Sequence, residues 1–323
     1  MLVDGGYRVE GATMKFEGVR DDDIESAAAV AQTLGIPYRT LDFRLPYQDL
    51  IIRDFVMEYS LGRTPNPCVR CNQFFKFGFF LQRALAFGFD FIATGHYVRR
   101  TTEQGEYRLK RGSDRNEQSY FLYRLNQFQL SKSLFPLGSS TKESVRAFAR
   151  RRGLPTAHRR KSQDVCFLPN ADYSAYLQKI LPERSGDIVD RSGRVVGRHK
   201  GVVFYTIGQR RGIGVSRDRP YYVTAIDAAK NQIRVGDKAE AFRTTLVAGQ
   251  IHFIHGNGVR GRRDITAKAR YNSPVSPVRL TPIRRGIKVR FEQAQWALAP
   301  GQSVVFYRAD DLLGGGIIET VLK

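Results

Sequence analysis

"YRVEGATMKFEGVRDDDIESAAAVAQTLGIPYRTLDFR" (7–44) decides the architecture of the first half of this chain. Its opening, 7–16, alternates in the manner of a strand. "DDDIESAAAVAQTLG" (21–35) has helical periodicity, acids in its first turn and a glycine stop. "PYRTLDFR" (37–44) is a second strand. The alternation continues. "PYQDLIIRDFVMEYSLG" (46–62) and "NQFFKFGFFLQRALAFG" (72–88) read as helices, and "FDFIATGHYV" (89–98) as a buried strand ending in Thr-Gly-His. The pattern predicts an α/β domain with a parallel sheet covered by helices. Such sheets bind ligands at the carboxyl ends of their strands, where Gly95 and His96 fall.

The texture changes further on. After a short helix in "ADYSAYLQKIL", glycine-rich β-like runs begin near Gly186, and from about Thr245 short strands continue to the end: "GQIHFI", "ITAKARY", "VRLTPI", "IKVRFE", "QSVVFY", "GGIIETVL". Short strands at this spacing predict an antiparallel barrel or sandwich. The reading gives three domains, 1–175, 176–244 and 245–323, with the last as a β-barrel.

Composition limits the function classes. With 52 Lys and Arg against 31 Asp and Glu, the formal charge is +21. A field of that sign collects polyanions. Arginine clusters recur in "RAFARRRG" (146–153), "HRRK" (158–161), "GQRRG" (208–212), "RGRRD" (260–264) and "PIRRG" (282–286). One such run is usually a solvated face. Five, dispersed along the chain, point to nucleic acid, and no basic amphipathic helix supports a membrane surface instead. No run of about 18 apolar residues is present to cross a membrane. The N-terminus lacks the layout of a signal peptide. The expected compartment is a reducing cytoplasm.

There are only 3 cysteines, too few for a disulfide framework. Cys68 and Cys71 form a C-x-x-C in "TPNPCVRCN" (64–72), and Cys166 lies in "SQDVCF". As residues alone they leave three readings open: unrelated thiols, nucleophilic or exchange chemistry, or a metal site. Arg63 and Arg70 would lower the pKa of the paired thiols and favour thiolate. "YTIGQRRGIGV" (205–215) is a hairpin carrying cations and not a phosphate loop of the G-x-x-x-x-G-K-[ST] type.

Six segments in order resemble the bacterial tRNA-specific 2-thiouridylases: "GRTPNPCVRCN", "DFIATGHYVRR", "NEQSYFLYRL", "KSQDVCF", "HKGVVFYTIGQRRGIGV" and "ALAPGQSVVFY…LGGGIIE". The resemblance covers nearly the whole chain. It implies a Rossmann-like nucleotide-binding domain of the PP-loop ATPase type, a small central domain and a C-terminal β-barrel. It further implies ATP-dependent adenylation, with Mg2+, of the wobble uridine O2 in tRNAs of the Lys, Glu and Gln type. Sulfur then comes from a cysteine persulfide, charged by a relay beginning at a cysteine desulfurase. By position Cys166 matches the persulfide carrier and Cys71 the second catalytic cysteine, which would close a transient disulfide with Cys166. Met14 and Gly95 match ATP contacts. Asn66, Pro67 and Cys68 match the hold on the target base. His96, Asn116, Glu117, Gln118, Arg270, Tyr271 and Gln302 match tRNA contacts.

Two departures set further expectations. Family members open with a strand and an "SGGVDSS"-type loop that binds the ATP phosphates, and this sequence starts beyond that position. The chain as written is therefore expected to bind ATP weakly and to have an impaired sheet, and the alternative reading is a catalytically impaired tRNA-binding relative. Where many relatives carry aspartate, this chain has Cys68. Cys68, Cys71 and Cys166 could then hold a 4Fe-4S cluster whose open iron carries sulfide, so that persulfide and cluster chemistry both stay open.

Overall fold

The computed structural model describes residues 1–158, 165–168, 172–215, 220–256, 258–259 and 264–322. The chain divides into two compact units: 1–52, 68–171 and 310–312 form the first, and 53–67, 172–309 and 313–323 the second. The second unit thus takes in 53–67, a helix and loop that no shift of composition marks.

In the first unit, β1 (Gly11–Lys15) and β2 (Tyr38–Asp42) pair in parallel, with Gly11 opposite Tyr38 and Lys15 opposite Asp42. The crossover is α1 (Asp21–Thr33). Asp21, Asp22 and Asp23 occupy its first turn, where the helix dipole favours anions. It ends where Gly35 takes a φ of 63° and returns its N–H to the Gln32 carbonyl. The predicted strand over 89–98 is shorter than its apolar pattern suggests. Only β3 (Ile92–Ala93) is sheet. The chain turns at Thr94–Tyr97 and restarts as a hairpin of β4 (Val98–Glu103) and β5 (Glu106–Arg111). Gln104 and Gly105, both at positive φ, make the hairpin turn. β3 pairs in parallel with β6 (Ser133–Leu134). The parallel sheet therefore consists of two separate strand pairs. A cavity of 610 Å³ is lined by Gly11, Ala12 and Leu41 of one pair and by Ile92, Ala93 and Leu134 of the other.

The helix expected over 72–88 runs from Cys71 to Ala86, and its first part, Cys71–Phe79, has π-type turns. The helix expected over 46–62 begins at Arg44 and reaches Ser60, with π-type turns at Gln48–Ile52. Tyr47, Phe75, Phe77, Leu81, Tyr120 and Leu122 are fully buried in this unit.

In the second unit, β7 (Gly186–Val189), β8 (Val195–His199), β9 (Tyr222–Asp227) and β10 (Gln232–Gly236) form one sheet in the order β8-β7-β10-β9. β11 (Phe242–Phe253), β12 (Thr266–Lys268), β13 (Ser276–Ile283), β14 (Gly286–Trp296), β15 (Ser303–Arg308) and β16 (Asp311–Leu322) follow in the order β11-β14-β13-β12-β15-β16, and the β11–β16 pairing closes a six-stranded barrel. Closure removes the exposed edges of an open sheet. The period-2 pattern works as the sequence predicts. Ile287, Val289 and Phe291 of β14 join Leu246, Ala267, Phe306 and Ile318 in the barrel core, while Lys288, Arg290 and Glu292 point outward.

Candidate active site

The carboxyl ends of the parallel strands carry the site, as the sheet type dictates. After β1 come Phe16 and Gly18, after β2 comes Tyr47, and after β3 come Gly95 and His96. Tyr47 is the centre. It is 1% exposed. Its ring stacks on Phe16 with centroids 4.2 Å apart and meets the edges of Phe75 at 5.1 Å and Phe167 at 6.1 Å. This aromatic cage fixes its hydroxyl 3.3 Å from the Cys166 Sγ. Cys166 itself is exposed, on a turn whose next residues, Phe167 and Leu168, are buried. That turn lies on Gly18, where φ is 92° and a Cβ would stand 2.3 Å from the Cys166 carbonyl oxygen. Gly18 is thus required twice, by its backbone conformation and by the close approach.

Cys68 and Cys71 share this neighbourhood. Burial first, and then the fields of Cys166, Cys71 and Cys68, push the Tyr47 phenol far above its usual range. Cys71 is 8% exposed, and Cys68 is half-buried. Burial pushes the Cys71 thiol up to about 12 and the Cys68 thiol up to about 11. The expected lowering by Arg63 and Arg70 is not what the structure gives. Arg63 Nε donates to the Glu58 carboxylate at 2.8 Å, and the Arg70 guanidinium lies 5.4 Å from the Phe74 ring centre. The cation that does lower both thiols is Lys76, and it is outweighed by desolvation. All three cysteines are free. Among the described residues no group of three or more His, Cys, Asp or Glu side chains is placed to hold a metal ion. The three thiols share one region without forming a cluster cradle, and Tyr47 supplies the contact at Cys166.

Alkylation should reveal this difference. Iodoacetamide at pH 7 is expected to modify Cys166 first. The rates at Cys71 and Cys68 should be low and rise about tenfold per pH unit up to pH 10, following the thiolate fraction. Peptide mass spectrometry reads this directly, and equal rates at Cys71 and Cys166 at pH 7 would contradict it.

The remaining predicted residues have definite places. Met14 is half-buried on β1. Gly95 is exposed, and a Cβ there would meet only Leu137 Cδ1 at 3.6 Å, so nothing in the protein itself requires glycine. His96 is 6% exposed. Its Nδ1 lies 2.9 Å from Thr94 Oγ1, its ring packs against Phe77 and Phe135, and burial holds it neutral, well below the usual imidazole range. Asn116, Glu117 and Gln118 form a turn tied largely to its own surroundings. Asn116 donates to Asp114, Glu117 accepts from the Ser119 N–H at 2.9 Å, and Gln118 accepts from the Tyr97 N–H at 3.2 Å. Asn66 and Pro67 belong to the second unit, whereas Cys68 belongs to the first. In the second unit Gln302 Nε2 donates to the Thr64 carbonyl at 3.1 Å, and Thr64 donates its N–H to the Pro300 carbonyl at 2.7 Å. Gln302 therefore fixes the loop leading to Asn66. Arg270 donates to the Ile207 and Ala297 carbonyls, and Lys268 lies over the Tyr271 ring. Of the basic clusters, Arg150, Arg151, Arg210, Arg211, Arg284 and Arg285 are exposed. Arg159, Arg160, Lys161, Arg260, Arg262 and Arg263, like Ser162, Gln163 and Asp164, lie outside the described residues. Tyr47, Gly18 and Lys76 are the site residues that sequence reasoning missed. Only Gly18, a glycine just beyond a strand in "KFEGV", carried a local signal.

Comparison with known proteins agrees with this architecture. Residues 2–170 match the family described as the tRNA methyl transferase HUP domain, residues 174–237 the tRNA methyl transferase PRC-barrel domain, and residues 243–318 the aminomethyltransferase beta-barrel domain. The chain is 43% identical over its full length to tRNA-specific 2-thiouridylase MnmA 1 of Caldanaerobacter subterraneus subsp. tengcongensis, covering 94% of that protein. It is 42% identical, again over its full length, to tRNA-specific 2-thiouridylase MnmA of Natranaerobius thermophilus, covering 93%. Over 99% of its length it is 43% identical to the protein of that name from Treponema denticola, covering 93%. With such likeness across all three matched regions, the chain belongs to the tRNA-specific 2-thiouridylase family.

Proposed function

We propose that this chain is a tRNA-uridine 2-sulfurtransferase that uses ATP and a cysteine persulfide to make 2-thiouridine at the wobble position. The observation that carries the proposal is that Cys166, held 3.3 Å from the caged hydroxyl of Tyr47, and Cys71, far from it in sequence, lie within one another's electrostatic reach. A persulfide relay calls for two thiols, one to carry sulfur and one to release it, whereas amidation needs no sulfur carrier.

The chemistry follows from the leaving group. A ring carbonyl oxygen does not depart until it is adenylated, and ATP supplies that step with release of pyrophosphate. ATP is a substrate here; Met14 and exposed Gly95, at or near strand ends, are the residues proposed to meet it. Cys166 is exposed and so accessible to a sulfur donor, the desulfurase or its relay protein. The terminal sulfur of the Cys166 persulfide attacks C2 and displaces AMP. Cys71 then attacks Cys166 Sγ. This breaks the S–S bond to the base, leaves sulfur on C2 and forms a Cys71–Cys166 disulfide, which an external thiol reduces. Cys71, protonated at rest by its burial, must give up its proton when this step begins. The Tyr47 hydroxyl, beside Cys166 Sγ, is placed to donate a hydrogen bond to sulfur as negative charge appears on it. Asn66, Pro67 and Cys68 would hold the flipped base. His96, Asn116, Glu117, Gln118, Arg270, Tyr271 and Gln302 would contact tRNA of the Lys, Glu and Gln type or support the loops that do. Mg2+ would accompany the ATP phosphates.

The test is direct. Incubated with an unmodified tRNA transcript bearing a wobble uridine, ATP, Mg2+ and a cysteine desulfurase system, the protein is expected to yield 2-thiouridine and AMP, read by nucleoside mass spectrometry. Tight tRNA binding without product would favour a binding-only role.

A further inference from the structure

The β13–β14 hairpin of the barrel carries an unusual outward face. Arg279 stands directly opposite Arg290 in the antiparallel register, and Lys288 stands opposite Thr281. Arg284 and Arg285 occupy the connecting turn. All five cations are exposed. Elsewhere many basic residues have acidic partners, such as Arg194 with Asp190 and Arg198 with Asp187. None of these five makes an ion pair among the described residues. Asp264 and Glu292 border the 550 Å³ cavity shared with Arg279 and Arg290, yet neither forms an ion pair there. Like charges directly across a ladder destabilise it, and nothing in the barrel relieves the Arg279–Arg290 pair. A bound polyanion would.

We infer that the β13–β14 face is an RNA-backbone contact surface, with Arg279, Arg284, Arg285, Lys288 and Arg290 each reaching phosphate oxygens. The inference rests on the proposed tRNA substrate and deepens it. Over 287–290 β14 is paired on both sides, with β11 and with β13, and β13 is held along it from Val278 to Ile283, so the cations sit on sheet rather than on a flexible tail. Phosphate contacts of this kind position a substrate without reading its sequence. RNA fits better than a membrane because Ile283 is the one exposed large apolar side chain on these two strands, too little to anchor the face in a lipid layer beside five cations.

The experiment measures the salt dependence of tRNA binding for the unaltered chain and for R279Q/R284Q/R285Q/K288Q/R290Q. A control replaces five ion-paired cations: R20Q/R194Q/R198Q/K200Q/K230Q. Each phosphate contact contributes roughly 0.7–0.9 to the slope of log K against log salt, so the hairpin variant should lose roughly 3.5–4.5 from its magnitude and bind at least tenfold more weakly near physiological salt. The control should change by less than half as much. Relief of the Arg279–Arg290 repulsion should leave the hairpin variant's Tm equal or higher, which separates a binding defect from a folding one. A steep slope in the unaltered chain that the hairpin variant retains overturns this assignment alone. So does retained tRNA binding combined with lost binding to phosphatidylserine vesicles. Failure of the unaltered chain to bind tRNA at all overturns the substrate reading, and this inference with it.

Discussion

Replacing Cys166 with serine is expected to remove 2-thiouridine formation by a factor on the order of 10³ or more, as loss of a covalent nucleophile does elsewhere. The hydroxyl that replaces the thiol cannot carry a persulfide, so no sulfur reaches the base. Cys71→Ser is expected to stop turnover as completely, but at a different point. Its first half-reaction survives, leaving the base joined to Cys166 through a disulfide. Added dithiothreitol should therefore restore product to Cys71→Ser and fail to do so with Cys166→Ser. Nucleoside analysis after a single turnover, with and without the reductant, reads both outcomes. The same experiment on Cys68→Ala addresses the cluster alternative. A two-thiol relay predicts less than a tenfold loss, because Cys68 does not handle sulfur. A loss as large as that of Cys166→Ser, with no rescue by reductant, would reinstate the three-cysteine cluster and sink the relay.

Why these three thiols behave differently was only partly legible in the sequence. The strand–helix–strand of 7–44 reads correctly because it is local: acids at one end of α1, Gly35 at the other, and alternation on each side. The barrel strands read correctly for the same reason, since period-2 alternation on β14 states which face is buried. The error at 89–98 is also instructive. A continuous apolar run looks like one strand, but the buried turn at His96 satisfies its backbone locally, with the Val98 N–H on the His96 carbonyl, and cuts the strand to two residues. At the site, sequence neighbours misled. Arg63 and Arg70 are adjacent to the thiols along the chain, but Glu58 and Phe74 engage them. Burial, which raises Cys68 and Cys71, and the Tyr47 cage, which seats Cys166, depend on residues distant in sequence. No pattern in "TPNPCVRCN" could announce that Phe16, Tyr47, Phe75 and Phe167 would converge there.

Gly18→Ala is the substitution expected to do most damage without touching a reactive atom. Two separate costs arise. At a φ of 92° an L-residue is strained, by about 1–2 kcal/mol. The added Cβ would also stand 2.3 Å from the Cys166 carbonyl oxygen, 2.5 Å from Phe167 Cα and 2.8 Å from the Cys166 carbonyl carbon. These are backbone atoms and cannot swing aside as a side-chain end can, so the Cys166 turn must move away from Tyr47. A displacement of about 1 Å at a reacting group is enough for a loss on the order of 10²-fold in rate. Gly6→Ala provides the comparison, because Gly6 has a φ of 79° and nothing within 4 Å of a Cβ. It carries the strain without the collision. Gly6→Ala should lose a few degrees of Tm and Gly18→Ala more, by the cost of the collision, but only Gly18→Ala should lose thiolation. Its Cys166 should also alkylate faster, freed from the Tyr47 hydroxyl. Thiolation by Gly18→Ala within twofold of Gly6→Ala would show that the seat on Gly18 does not position Cys166 for the reaction.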